Sequence, residues 1–125
     1  MPKPGYTGLQ RVFKATGYSW QGLKATWRNE SAFRQECTLA LILTPVAFVL
    51  AQDIMQVVLM VSVLAIVLIT ELLNSAVESV VDRIGDEYNE LAGRAKDQGS
   101  AAVFVSLALV VIVWGAVIVH NFILN

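Results

Sequence analysis

The chain has 125 residues, 56% of them hydrophobic, and a formal net charge of −1 at neutral pH. This length favours a single domain, and soluble domains of this size are rarely so apolar. The near-neutral charge argues against a nucleic-acid-binding protein. The single cysteine, Cys37, excludes a disulfide within the chain. The first residues are polar and basic, so no secretory signal peptide is expected.

An amphipathic helix is predicted first, over about residues 6–28. Apolar residues recur there at helical spacing from Leu9 to Trp27, with basic residues beside them. Such a helix lies in the membrane interface, with its aromatic side chains at the depth of the lipid headgroups. Gly17 is expected to interrupt it. A simple membrane anchor without chemistry is the alternative for this segment.

Three apolar stretches follow, in helices predicted at about residues 32–51, 54–84 and 98–123. The first stretch is short, so its helix must use the polar residues before it, tilt, or lie in thinned bilayer. Pro45 is expected to kink this helix or loosen one turn. The third stretch has no formally charged residue and is the strongest span by hydropathy. The predicted fold is therefore a one-domain, all-α membrane protein.

The basic residues predict the orientation in the membrane. All nine Lys and Arg residues lie either before the first span or between the second and the third. The positive-inside rule then places the N-terminus and a loop at 82–99 in the cytoplasm, and the C-terminus on the other side. Taken alone, a loop with both signs of charge is more typical of a solvated connection than of a binding site.

The most informative segment lies where the second span ends. Positions 71, 74, 78 and 82 fall on one narrow stripe of a helix and carry Glu, Asn, Glu and Asp. Carboxylates at the edge of a bilayer usually mark a functional site. This stripe can hold a divalent cation and a reacting hydroxyl together. A solvated helix exit, a polar packing network or an ion path would show the same pattern.

The usual catalytic signatures are absent from the chain. It has neither a phosphate-binding P-loop nor the motifs of a protein kinase. The only histidine, His120, lies at the far end of the third span, which excludes a histidine-based nucleophile or zinc cluster beside the carboxylates. What remains is carboxylate and amide oxygens with a few cations. Hard oxygen ligands suit Mg²⁺, and this set contains every part that phosphoryl transfer requires.

Three segments carry a resemblance to a known family: 15–23, 29–36 and, above all, 71–97. They resemble the bacterial integral-membrane diacylglycerol kinases of the Gram-negative type, and the similarity extends from about residue 8 to the end of the third span. The resemblance implies a homotrimer in the bacterial inner membrane, with active sites near the cytoplasmic interface that neighbouring protomers share. It also implies the reaction, in which the γ-phosphoryl of MgATP passes to the hydroxyl of a 1,2-diacylglycerol and gives phosphatidic acid.

The resemblance implies a role for individual residues as well. Glu71 would be the general base, and Glu30 and Glu78 would hold the metal. Asn89 stands where relatives often carry His, and Asp86 where they often carry a small residue, which affects base recognition rather than the reaction. The implied nucleotide site comprises Arg11, Tyr18, Glu30, Glu78, Glu87, Tyr88, Asn89, Lys96 and Asp97. The implied lipid site comprises Arg11, Ser19, Trp20, Glu71, Asn74 and Ser100.

Three other functions are compatible with these residues. A related branch of the same family phosphorylates undecaprenol instead of diacylglycerol. A small transport subunit would use Glu71 and Glu78 as proton or cation sites, but it would be expected to place them near mid-membrane and to show paired repeats. A structural protein would use the polar stripe only to fix helix packing, and its function would survive Glu78→Gln.

Overall fold

A computed structural model describes residues 7–85, 87 and 89–124. Over these ranges the chain forms four α-helices, three of which are long and apolar enough to cross a membrane, as predicted. The third helix packs most extensively on the fourth and next on the second, so it is the central element. The helices are α1 (Gly8–Asn29), α2 (Ser31–Leu50), α3 (Ile54–Ile84) and α4 (Glu90–Phe122).

Helix α1 is continuous, so the predicted interruption at Gly17 is wrong. One glycine inside a helix costs only about 1 kcal/mol relative to alanine, which many regular backbone hydrogen bonds on either side outweigh. The backbone N–H of Thr7 donates to Gln10 Oε1 at 3.0 Å and fixes the start of the helix. At the other end, Glu30 has extended backbone and turns the chain directly into α2.

Helix α2 reaches the length of a membrane span by including the polar residues 31–36 before its apolar stretch. Pro45 lies inside this helix, where it removes one backbone donor, yet the helix continues to Leu50. Only three residues then connect α2 to α3. Asp53 begins α3, because its side chain accepts a hydrogen bond from the backbone N–H of Gln56 at 2.9 Å.

The apolar core lies where α2, α3 and α4 meet. Its buried side chains interdigitate across all three helices, and Met60 is fully buried. Trp114 of α4 also donates its indole N–H to the backbone carbonyl of Met60 at 3.1 Å, so its one polar group is satisfied. This core fixes α3 relative to both neighbours. The core residues are Ala47, Met60, Val63, Leu64, Trp114 and Val117.

The end of the bundle near the α2–α3 connection, called here the amide end, carries a polar cluster that joins three helices. Asn121 of α4 donates to the backbone carbonyl of Leu50 at 2.9 Å and to Gln56 Oε1 at 2.8 Å. Gln56 in turn places its Nε2 3.2 Å from Asn121 Oδ1. These neutral groups satisfy one another's hydrogen bonds and hold the ends of α2, α3 and α4 together.

Helix α4 begins at Glu90, whereas the sequence predicted a loop through 82–99 and a helix from about residue 98. The Asn89 side chain starts it by accepting from the backbone N–H groups of Leu91 and Ala92, at 2.9 and 3.1 Å. Its first turns are polar and lack an apolar periodicity, which is why hydropathy did not reveal them. Lys96 and the residues around it therefore lie on a helix.

Candidate functional site

Carboxylates gather at the end of the bundle opposite the amide end, called here the acidic end. Glu71 of α3 is only 7% exposed, and its carboxyl group lies next to that of Glu36 on α2. The Oε2 atom of Glu36 is buried and has no hydrogen-bond partner among the described residues. A buried carboxyl oxygen without a partner costs stability, and two neighbouring carboxyl groups repel each other when both are ionised. The pair is therefore unfavourable for folding, which is typical of a functional site.

A third carboxylate reaches this pair from the junction of α1 and α2. Ser75 of α3 donates its hydroxyl to Glu30 Oε1 at 3.3 Å. Glu30 and Glu78 both lie close enough to Glu71 to interact with it electrostatically. The structure thus brings the predicted base and both predicted metal ligands together within one protomer, because one face of α3 meets the break between α1 and α2.

The carboxylate ligands of this cluster suit a metal ion that is also bound by the phosphates of a substrate. Within the described ranges, no group of three or more His, Cys, Asp or Glu side chains is arranged to hold an ion by itself. Magnesium in phosphoryl-transfer sites usually takes one or two carboxylates and completes its shell with phosphate oxygens and water. Glu30 and Glu78 supply that number of carboxylates.

A cavity of about 740 Å³ opens between α1 and α3 beside these carboxylates. This volume is within the usual range for small-molecule sites. Glu30 lines the cavity, whereas Glu71, Asn74 and Glu78 lie on an adjacent face of α3. Its polar lining comprises Ser19, Thr26, Asn29, Glu30, Ser75, Ser79 and Asp82.

A smaller cavity of about 260 Å³ lies where α3 ends and α4 begins. Four of the residues that line it are Asp82, Glu87, Asn89 and Lys96, and the last three belong to the predicted nucleotide set. Lys96 Nζ contacts Asp82 Oδ1 at 2.9 Å and also interacts electrostatically with Glu78. An exposed ion pair of this kind stabilises a fold little. Lys96 does, however, both line this cavity and interact with the carboxylate of Glu78.

The other described residues of the predicted sites line neither of these two cavities. Trp20 lines an apolar groove of about 400 Å³ between α1 and α2, and Asn74 lines a groove between α3 and α4. Four more are exposed and line none of these cavities: Arg11 and Tyr18 on α1, and Asp97 and Ser100 on α4. Tyr88 and Asp86 lie outside the described residues.

Two residues of the cluster are absent from the predicted site. Glu36 could have been found, because an acidic residue one turn and a half into a spanning helix is rare in sequences. Ser75 had no such signal, because serines are common in helices and its value depends on Glu30 from a distant part of the chain.

The chain is similar to known proteins over most of its length. The family described as prokaryotic diacylglycerol kinase matches residues 17–118. A diacylglycerol kinase of Haemophilus influenzae is 55% identical over 112 residues, which are 90% of this chain and 95% of that protein. The Escherichia coli enzyme of that name is 51% identical over 108 residues, 86% of this chain and 88% of its own length. One from Pseudomonas aeruginosa is 46% identical over 117 residues, covering 94% and 95%.

Proposed function

Because the chain belongs to the prokaryotic diacylglycerol kinase family and is a diacylglycerol kinase, we propose that it transfers the γ-phosphoryl group of MgATP to the hydroxyl of a 1,2-diacylglycerol. The products are phosphatidic acid and MgADP. The observation that carries this proposal is the convergence of Glu30, Glu71 and Glu78 at one end of three membrane-length helices.

Glu71 is the proposed general base. It lies directly after the apolar stretch of α3, so a hydroxyl on a lipid that stays in the bilayer reaches its depth. Glu71 takes the hydroxyl proton while the hydroxyl oxygen bonds to the γ-phosphorus and the bond from that phosphorus to the β–γ bridging oxygen breaks. Glu36, packed beside Glu71, restricts the positions that the Glu71 carboxylate can take.

Glu30 and Glu78 are the proposed metal ligands, and Ser75 holds Glu30 in place. The Mg²⁺ that they would hold, bound as MgATP, supplies neutralisation of the charge on the triphosphate. Both carboxylates repel a bare triphosphate, so they bind the nucleotide only in its metal complex. That preference distinguishes this site from one built on arginine and lysine.

The nucleotide is proposed to enter through the cavity at the α3–α4 junction. Lys96 supplies positive charge for a phosphate, and Asn89 keeps its amide N–H₂ free of the capping bonds that its Oδ1 accepts. We assign to the nucleotide the whole predicted set, namely Arg11, Tyr18, Glu30, Glu78, Glu87, Tyr88, Asn89, Lys96 and Asp97. The lipid headgroup is assigned to Arg11, Ser19, Trp20, Glu71, Asn74 and Ser100.

The proposal includes the membrane placement and the assembly. Helix α1 lies in the interface, because its apolar side chains stay exposed in the isolated chain; Leu9 is 69% and Phe13 is 70% exposed. The distribution of all nine basic residues supports an inner-membrane protein with a cytoplasmic N-terminus and α3–α4 connection, and a periplasmic C-terminus. A homotrimer with shared sites would bring predicted residues that one protomer leaves apart, such as Arg11, to the carboxylates.

The decisive experiment offers the purified protein labelled ATP with Mg²⁺ and either diacylglycerol or undecaprenol in separate micelles. We expect label in phosphatidic acid and much less in undecaprenyl phosphate. Preference for undecaprenol would change the acceptor and keep the reaction class. No labelled lipid from either acceptor, with a folded protein, would overturn the proposal.

A further inference from the structure

Gly99 of α4 faces Asn74 of α3 at close range. A β-carbon placed on Gly99 would overlap Oδ1 of Asn74 and lie 3.2 Å from its Cγ atom. It would also lie 3.7 Å from the Asn74 Cα, in ordinary contact. At every other described glycine, an added β-carbon would meet nothing within 4 Å; these are Gly8, Gly17, Gly22, Gly85, Gly93 and Gly115. Among the described glycines, Gly99 is therefore the only one at which an added β-carbon would collide with a neighbouring side chain.

The side chain that occupies this space has an unusual environment. Asn74 Oδ1 is buried and has no hydrogen-bond partner among the described residues. It lies over the bare Cα of Gly99, where only a weak C–H···O contact is available. A buried amide oxygen without a strong donor costs stability. With Oδ1 held against α4, the amide N–H₂ is the end of the side chain left to donate to a ligand.

The position of Asn74 on α3 indicates a function for this orientation of its amide group. It lies three residues after Glu71 and four before Glu78, on the same stripe of α3. A donor held between a general base and a metal ligand can bind an oxygen of the acceptor headgroup and so hold the hydroxyl in reach of Glu71.

We propose that Gly99 is a positioning residue for phosphoryl transfer. Its missing side chain lets the Asn74 amide lie against α4 in a single orientation, with its N–H₂ group presented to an oxygen of the membrane-held lipid alcohol. This inference rests on the proposed function, because that function gives Asn74 a headgroup to bind. Gly99 touches no substrate and acts only through Asn74.

Replacement of Gly99 by alanine is an informative test because it adds one methyl group to a helix. Alanine ordinarily favours a helix over glycine, so a harmful effect must come from the collision with Asn74. Gly115→Ala is the matched control, since Gly115 lies on the same helix in open space.

The experiment compares the parent, Gly99→Ala, Asn74→Ala, the double variant and Gly115→Ala as full-length proteins in lipid micelles. Initial rates are measured against both MgATP and diacylglycerol. Gly99→Ala is expected to lower kcat about 10- to 100-fold, the size of effect that a small misplacement of a reacting group produces, with KM for MgATP unchanged. Gly115→Ala should stay within about twofold of the parent, because it displaces nothing.

The double variant separates positioning from a general defect. In the Asn74→Ala background, Gly99→Ala should cause no further loss of kcat, because the side chain through which it acts is gone. Asn74→Ser with Gly99→Ala should recover part of the activity, since serine is shorter and still donates. An unchanged kcat in Gly99→Ala, or an equal loss with and without the Asn74 side chain, would overturn the inference.

Thermal unfolding of the same proteins gives a result that does not depend on lipid phosphorylation. Gly99→Ala should lower the unfolding temperature in the parent background and leave it unchanged or higher in the Asn74→Ala background. A parent that phosphorylates no lipid overturns the proposed function, and the unfolding temperatures still decide whether Gly99 is constrained by Asn74. Equal shifts of the unfolding temperature in both backgrounds would disprove that constraint.

Discussion

The buried polar groups at the two ends of the helix bundle differ in whether they have hydrogen-bond partners. At the amide end, Gln56 and Asn121 donate to and accept from each other, and Asn121 also satisfies the carbonyl of Leu50. At the acidic end, the carboxyl groups of Glu36 and Glu71 lie side by side, and Oε2 of Glu36 is buried without a partner among the described residues. Both ends are built on the same helices, so the helices do not impose the difference.

Chemistry explains the contrast. Amides carry both donors and acceptors and can complete a closed network, which makes a rigid joint. Ionised carboxylates only accept hydrogen bonds, so two neighbouring carboxyl groups can pair only by sharing a proton and otherwise need donors or cations from elsewhere. A substrate hydroxyl and a metal-bound nucleotide are such groups. We infer that the amide end stabilises the fold and that the acidic end gives up stability for binding and catalysis.

Glu71→Gln should have the largest effect on activity. Glutamine keeps the shape of glutamate but cannot take a proton from the acceptor hydroxyl, so kcat should fall about 10²–10⁴-fold. The affinity for MgATP and the size of the oligomer should be preserved. Both are measured on the same purified protein, with the parent as reference. If kcat stays within a few-fold of the parent, Glu71 is not the base and Asp97 is the next candidate.

Glu30→Gln and Glu78→Gln should come next. Each replaces an anionic metal ligand by a neutral amide, and we expect the affinity for MgATP to fall about 10- to 100-fold, which corresponds to about 1.4–2.7 kcal/mol lost at a charged contact. Equilibrium binding of MgATP measures this loss. Ser75→Ala is the control, because it removes only the hydroxyl that holds Glu30 and should weaken binding less. Parent-like affinity in both glutamine variants would remove these residues from the metal site.

Mixed oligomers test whether an active site at the acidic end is formed by one protomer or shared between two. If active sites at the acidic end are shared between protomers, then mixing an inactive Glu30 variant with an inactive Glu71 variant should restore part of the activity. Differently tagged subunits and copurification establish that mixing occurred. The structure places both residues in one protomer, so complete absence of recovery in proven mixed oligomers would indicate self-contained sites.

The smallest effect on catalysis is expected at the amide end. Asn121→Ala removes the side-chain donor to the carbonyl of Leu50 and the acceptor for the N–H₂ group of Gln56, which should destabilise the bundle by about 1–3 kcal/mol. The kcat of the folded protein should not change. Thermal unfolding and initial rates on one preparation test both statements. A large loss of kcat without a loss of stability would show that this end is not merely structural.

The sequence alone determined the four helices and the placement of three polar residues on one face of α3. In a bilayer each helix must satisfy its own backbone hydrogen bonds, so a long apolar run predicts a spanning helix. Each of the three predicted runs lies in a helix that is long and apolar enough to cross a membrane. The helical period also places Glu71, Asn74 and Glu78 on one stripe without knowledge of any neighbour. Local signals were weaker, because Gly17 does not break α1 and the polar first turns of α4 lack an apolar pattern.

Only the tertiary structure decided which residue each of these side chains meets. Glu36 beside Glu71, Glu30 beside Ser75 and Gly99 beside Asn74 are pairs from different helices. A periodicity fixes the direction of a side chain around one helix axis. The neighbour that fills that direction depends on how the ridges of two helices pack and on their axial register, and neither quantity can be read from one helix alone.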